Sequence, residues 1–392
     1  MANAEADRIH CGLGFFIIFV KLIKIAMKIS SEILASALCV SILVLSSCGT
    51  TDSTNNVKSY DLSSFDVVDL SDTEPERVSL PEMTMAWPYG MCMVSDSIMA
   101  LKDPRAGQMQ LWLLNVNSGR FAQCLYNGSG PKECLGVTNI WTDGGHLFAG
   151  GHNDYKVMKI AVDPDSLTTD IECIAEMPEF FLKAVTLSDS CLLYAPSMVF
   201  DARFLLARMD GTVTDTIREF YIMDRLPEGL RPQNSISQMQ MTLSPDKRHL
   251  VSSNMSWPVT EIYTVPLNKT IVLNGPVKTD SKVKVVNDNM GTSYVISPGW
   301  SMFFGLSASN DGFALGFVGR ELKNIEDYSK GPESLLLFDW EGNPTKKIDF
   351  GREIVDFTID FKSMIVYALV NDPEPMVVKY ALPLSYEELW EN

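Results

Sequence analysis

The sequence predicts an all-β protein: a six-bladed β-propeller preceded by a lipoprotein signal peptide and a short flexible tether. Three observations carry that expectation: a cysteine closing an N-terminal apolar run, a short hairpin recurring six times, and a second hairpin after most copies. The composition agrees. Hydrophobic residues make up 46% of the 392 and charged residues 21%, ordinary values for a chain that buries a core. There are 49 acidic against 32 basic residues, a net charge of −17. Such a field repels phosphate backbones, and no local basic patch offsets it, so no nucleic-acid partner is expected.

The N-terminal elements come first. Gly12 to Val20 is apolar, Lys21, Lys24 and Lys28 follow, and a second apolar run extends from Ile33 to Leu45. It ends in Leu45-Ser46-Ser47-Cys48-Gly49. A basic segment, an apolar segment and small residues before a cysteine describe a bacterial secretory signal. A cysteine at the cleavage point makes it a lipoprotein signal, with Cys48 accepting the lipid. The other reading, a plain transmembrane anchor, is weakened by Glu32 and by a run shorter than the roughly 20 apolar residues a span needs. The signal is complete from Met27, so residues 1–26 are either an over-extended start or, through Gly12–Val20, a second anchor. The expected organisation is therefore signal peptide 1–47, lipidated tether 48–59 and propeller 60–392. The tether assignment rests on the Ser-, Thr-, Asn- and Asp-rich stretch after Gly49. The expected location is the bacterial cell envelope, lipid-anchored, in the outer membrane.

The repeat unit is an apolar strand, a tight turn with Asp, Asn or Gly, and a second apolar strand. Its turns are Ser95-Asp96-Ser97, Asp143-Gly144-Gly145, Ser188-Asp189-Ser190, Ser244-Pro245-Asp246, Asn310-Asp311-Gly312 and Asp360-Phe361-Lys362. After each of the first five comes another hairpin, turning at Asn117-Ser118-Gly119, Asp163-Pro164-Asp165, Asp210-Gly211, Leu267-Asn268-Lys269 and Glu341-Gly342-Asn343. Two hairpins give four antiparallel strands, and six such repeats give a six-bladed propeller. The turn residues are those that tolerate the positive φ of tight hairpins. The sixth unit, ending at Val377 to Ala381, lacks an outer strand. Phe65 to Leu70 is expected to supply it and close the ring, removing the exposed edge.

Between the first two units lies Asn127-Gly128-Ser129-Gly130-Pro131-Lys132-Glu133, where a blade-to-blade crossover belongs. With the signal cysteine, this Gly-x-Gly-Pro-x-Glu turn resembles the TolB-like six-bladed propeller lipoproteins of Bacteroidetes. That resemblance implies an envelope location and leaves the chemistry open. Lys132 and Cys134 stand where the usual form carries a second Gly and an aromatic.

Candidate site residues follow from residue type and place. Trp87-Pro88-Tyr89, Trp257-Pro258 and Gly299-Trp300 lie beside strands, where an exposed ring would stack on a sugar or grip a peptide. Arg105, between the hairpins of the first unit, adds a charge, and His152 lies in the polar loop Gly151-His152-Asn153-Asp154. The alternative for each ring is filler between blades. Cys124 and Cys134 flank the glycine loop and are a possible disulfide, which the periplasm permits. Cys92, Cys173 and Cys191 sit in apolar strands and read as buried thiols. No metal-ligand spacing, nucleophile elbow or phosphate loop is present. No catalytic residue, metal or other cofactor is assigned, and a calcium ion in the central channel is left open. The functional expectation is a non-catalytic propeller that binds a glycan, a peptide or an envelope partner protein. The alternative is a metal-dependent hydrolase or lyase acting in the propeller funnel, and a structural subunit is a third possibility.

Overall fold

The computed structural model describes residues 56–391, apart from 106, 198, 200, 268, 289, 290 and 372. Lipidation at Cys48 and the signal peptide lie outside the described residues. Six sheets form the blades: five are meanders of four consecutive antiparallel strands running from the axis outward, and the sixth has three and takes its fourth from the N-terminal segment. The inner strands are Met91–Met93, Val137–Asp143, Phe181–Ser188, Met239–Leu243, Trp300–Ala308 and Asp356–Asp360, opening blades 1 to 6 respectively.

Burial explains which residue types each position uses. The second strands, such as Ile98–Lys102 and Ile365–Asn371, are buried on both faces, so they read as nearly continuous apolar runs. Outer strands such as Val213–Ile217 are exposed and polar. Six apolar clusters lie one between each pair of neighbouring blades. The cluster of Met99, Leu101 and Trp112 with Tyr367, Leu369 and Val377 seals blade 1 against blade 6. Burying several such side chains at each interface is worth on the order of 10 kcal/mol gross, at ~25 cal/mol per Å² of apolar area. The predicted turns form, and Gly144 and Gly145 both adopt positive φ at +55° and +76°.

Ring closure differs from expectation. Blade 6 takes its outer strand from Glu76–Arg77, with Arg77 opposite Val378 and Glu76 opposite Lys379. The segment expected to do this does form a strand, Asp66–Asp69, but it pairs in parallel with Pro344–Asp349 on blade 5. Its apolar side chains explain the choice, because Phe65, Val68 and Leu70 are buried against blade 5 residues such as Phe338, Leu337 and Ile348. Residues 56–59, assigned from sequence to the tether, form a further strand in parallel with Lys269–Asn274 on blade 4. The N-terminal segment is thus a strap along the rims of blades 4, 5 and 6. Lys58 Nζ donates to Glu341 O at 2.7 Å, Asp66 pairs with Lys346 at 3.0 Å, and Lys379 pairs with Glu76 at 2.9 Å. A further element was not foreseen. The hairpin Lys282–Asp288 and Gly291–Ser297 projects between blades 4 and 5, and its base packs through Val283 against Trp257 and Val259.

Candidate functional site

A propeller meander places one edge of each inner strand against the axis, so inner-strand side chains on both blade faces border a central space. That space is a cavity of about 470 Å³. Polar groups stitch its wall across blade boundaries. Asn139 donates to Ala184 O at 3.0 Å, Trp141 Nε1 to Thr186 Oγ1 at 2.8 Å, and Ile359 N to Ser307 Oγ at 3.2 Å.

Three charged groups occupy the end of the cavity where the inner strands begin. Asp356, first residue of the blade 6 inner strand, is buried and accepts from Gly90 N at 2.7 Å and Phe357 N at 2.8 Å. Burial pushes its carboxyl up to about 6, against the pull of those hydrogen bonds and of the two lysines. Space for the carboxylate depends on Gly305: a Cβ there would lie 2.6 Å from Asp356 Oδ1, and the residue sits at φ +81°. Lys102, last residue of its strand, is buried, donates to Thr138 O and holds its ammonium 3.8 Å over the Tyr89 ring. Burial drives its pKa well down, with the Lys183 charge acting the same way. Lys183, on the blade 3 inner strand, also lines the cavity, and burial lowers it to about 8. Among the described residues no hydrogen bond or ion pair engages the Lys183 ammonium. Two lysine side chains thus share this end with one carboxylate inside a molecule that is acidic overall.

The opposite end is bordered by the hairpin turns, where acidic side chains are already satisfied. Asp96 pairs with Lys362, Asp143 pairs with Lys247 at 2.7 Å, and Asp360 accepts from Lys362 N and Ser363 N. Among the described residues no group of three or more His, Cys, Asp or Glu is arranged to hold a metal ion.

Of the six residues singled out from sequence, five fall in loops joining blades or joining second to third strands, and Trp300 opens the blade 5 inner strand. Three converge on blade 1. Trp87 is 55% exposed with the Arg105 guanidinium 4.5 Å from its ring, and Tyr89 covers Lys102 at the cavity end. The other three are apart from them. His152 is exposed and meets Phe180 edge to face at 4.1 Å. Trp257 is fully buried, donates to Ile236 O at 3.1 Å and lies under the Arg225 guanidinium. The crossover through Ile222 and Ile236 and the inserted hairpin cover it, so it is core and not a binding ring. Trp300 is half-buried against the blade 4–5 cluster, and among the described residues its indole N–H has no hydrogen-bond partner.

Cys124 and Cys134 are free, buried thiols and form no disulfide. Cys124 faces the apolar core between blades 1 and 2, while Cys134 Sγ sits 3.9 Å from Asp154 Oδ1. Burial pushes both thiols up to about 12, which leaves them protonated and unreactive. The glycine loop is structural too. Glu133 folds back to accept from Gly130 N at 2.8 Å, and a Cβ on Gly128 would meet its carboxylate at 2.1 Å. Lys156 then donates to Ser129 O and Gly130 O.

Lys102, Lys183 and Asp356 were missed from sequence. The available signal was a lone charge in an apolar strand, as in Phe181-Leu182-Lys183-Ala184-Val185.

Comparison with known proteins agrees with the architecture. No curated protein matches the sequence. Among solved structures, a Bacteroides fragilis protein described as exported superposes with a TM-score of 0.51 at 11% identity, covering 83% of this chain and 98% of that one. A Bacteroides vulgatus member of the DUF4221 family gives a TM-score of 0.46 at 11% identity over 79% of this chain and 93% of that one. At such identity the likeness is one of fold. The TolB-like 6-blade propeller-like family model matches residues 70–362, three quarters of the chain, and the chain belongs to that family.

Proposed function

We propose that this protein is an exported, lipid-anchored envelope protein whose propeller binds a small soluble ligand in its axial cavity without transforming it. The observation that carries the reading is Lys183, an ammonium lining the cavity with no counter-group in contact among the described residues. Half-burying an unpaired charge is costly, and a ligand that pairs with it relieves that cost. The cavity volume of about 470 Å³ falls within the range of small-molecule sites. Export and anchoring are supported by the Leu45-Ser46-Ser47-Cys48 signal and by the exported fold neighbour. Filling the cavity provides the test. Thr242→Trp, on the blade 4 inner strand, should abolish ligand binding measured by calorimetry while leaving the far-ultraviolet spectrum unchanged; retained binding would refute the channel as the site.

A second reading rests on Trp87. A large exposed ring backed by Arg105 suits a protein contact on the crossover face, and Trp87→Ala would weaken such a partner without touching the cavity.

A further inference from the structure

The wall chemistry of the cavity specifies more than a volume. Charge comes first. Lys102 is already committed to Thr138 O and the Tyr89 ring, and Asp356 is fixed by two backbone N–H groups. Lys183 is the cation of this end that no hydrogen bond or ion pair among the described residues engages. A ligand with a single negative charge would balance it. One with several, such as a polyphosphate, would be under-neutralised here and repelled by the protein's −17 field. A neutral ligand would leave the lysine as it stands.

Hydrogen bonding comes second. Thr138, Thr142, Gln240 and Thr242 line the same cavity on the inner strands of blades 2 and 4. Their own contacts are weak: Thr138 Oγ1 reaches Gly150 O at 3.5 Å, Thr242 Oγ1 reaches Leu243 O at 3.5 Å, and Gln240 Nε2 reaches only the Met255 sulfur at 3.6 Å. Hydroxyls and an amide free to both donate and accept match a ligand rich in hydroxyls. Ile140 and Val185 line the cavity among these polar positions.

We propose that the axial cavity recognises an acidic sugar, a polyhydroxylated ring bearing one carboxylate, with Lys183 taking the carboxylate and the threonines and Gln240 taking the hydroxyls. The proposal rests on the axial cavity being the binding site. Charge-assisted contact with a partly desolvated ammonium is among the stronger polar interactions available to a protein.

The test is calorimetry on the full chain at pH 6.5 with D-glucuronate, D-galacturonate, D-glucose and acetate as probes. At least one uronate should bind ten-fold or more tightly than both glucose and acetate. Lys183→Gln should weaken that uronate ten-fold or more, and Asp356→Asn should tighten it several-fold. Opposite signs from two neighbouring substitutions are not what a loss of folding produces, and near-ultraviolet circular dichroism checks folding independently. Glucose binding as tightly as the uronates, and lost in Thr242→Trp, would overturn the acidic-sugar assignment while leaving the cavity as the site. Acetate binding as tightly as the uronates would reduce the site to a bare anion pocket and overturn the sugar. Uronate binding indifferent to both Lys183→Gln and Thr242→Trp would overturn the assignment and the cavity together, as would no binding of any probe.

Discussion

Replacing Lys183 with methionine should make the protein more stable, because the native state keeps an ammonium where the surroundings disfavour it. Burial holds this group at about 8 against 10.5 for a lysine in water. At ~1.4 kcal/mol per tenfold change in acidity, that difference corresponds to ~3 kcal/mol of native-state penalty at neutral pH. The side chain opens on a cavity with room for solvent, so we retain about half, ~1.5–2 kcal/mol. An unfolding entropy of ~2 cal/mol/K per residue, summed over the propeller, converts this into a gain of ~2–3 °C in the unfolding midpoint.

The pH dependence has a definite sign. The folded pKa lies below the unfolded one, so the penalty is fully present below about 8 and is relieved as pH rises toward 10.5. The midpoint difference between variant and native protein should therefore be largest at pH 6.5 and shrink steadily through pH 10. Comparing variant with native protein at each pH by differential scanning fluorimetry cancels every other titration. A Lys183→Met variant that melts at or below the native temperature at pH 6.5, or whose advantage does not shrink by pH 10, would refute the argument that Lys183 is an uncompensated charge.

Two further outcomes test the framework around the cavity. Arg203 and Glu261 are both buried, joined at 2.9 and 2.5 Å between blades 3 and 4, so Glu261→Leu should cost ~3–5 kcal/mol in urea unfolding by stranding the guanidinium. The double variant Arg203→Met/Glu261→Leu should recover most of that loss; no recovery would show that the pair is not coupled. Gly305→Ala places a Cβ 2.6 Å from Asp356 Oδ1 at φ +81°, and should cost ~1–2 kcal/mol from the backbone alone with a further loss from the displaced carboxylate. Unchanged stability by urea titration would contradict the tight fit.

What was legible in the sequence and what was not divide along one physical line. Hairpins are local: their turns and alternating strands announce themselves within a dozen residues, so the six blades and their number were visible. Closure of the ring is not local. Glu76–Arg77 is two charged residues long with no apolar pattern, and its partner is about 300 residues away. Phe65–Leu70 had the better strand pattern and is a strand, but which blade receives it depends on which inter-blade groove accepts Phe65 and Leu70. The site divides in the same way. Trp87, Tyr89 and Arg105 are close in sequence and come together at blade 1, whereas Trp257 was hidden by a crossover and an inserted hairpin that packs onto it. Lys102, Lys183 and Asp356 come from three blades, and only assembly of the ring makes them neighbours.

The rim strap bears on what happens when the protein is pulled. If Cys48 is held in a lipid leaflet, any drag on the propeller reaches it through Asn56, and that residue begins the first of three attachments in series. Tension has to peel Asn56–Ser59 from blade 4 and then Asp66–Asp69, with its buried Phe65 and Leu70, from blade 5, before it reaches the two-residue strand that closes blade 6. The two-residue closure of blade 6 is thus the last to feel the membrane, and mechanical failure should begin at blade 4 while the axial cavity is still intact.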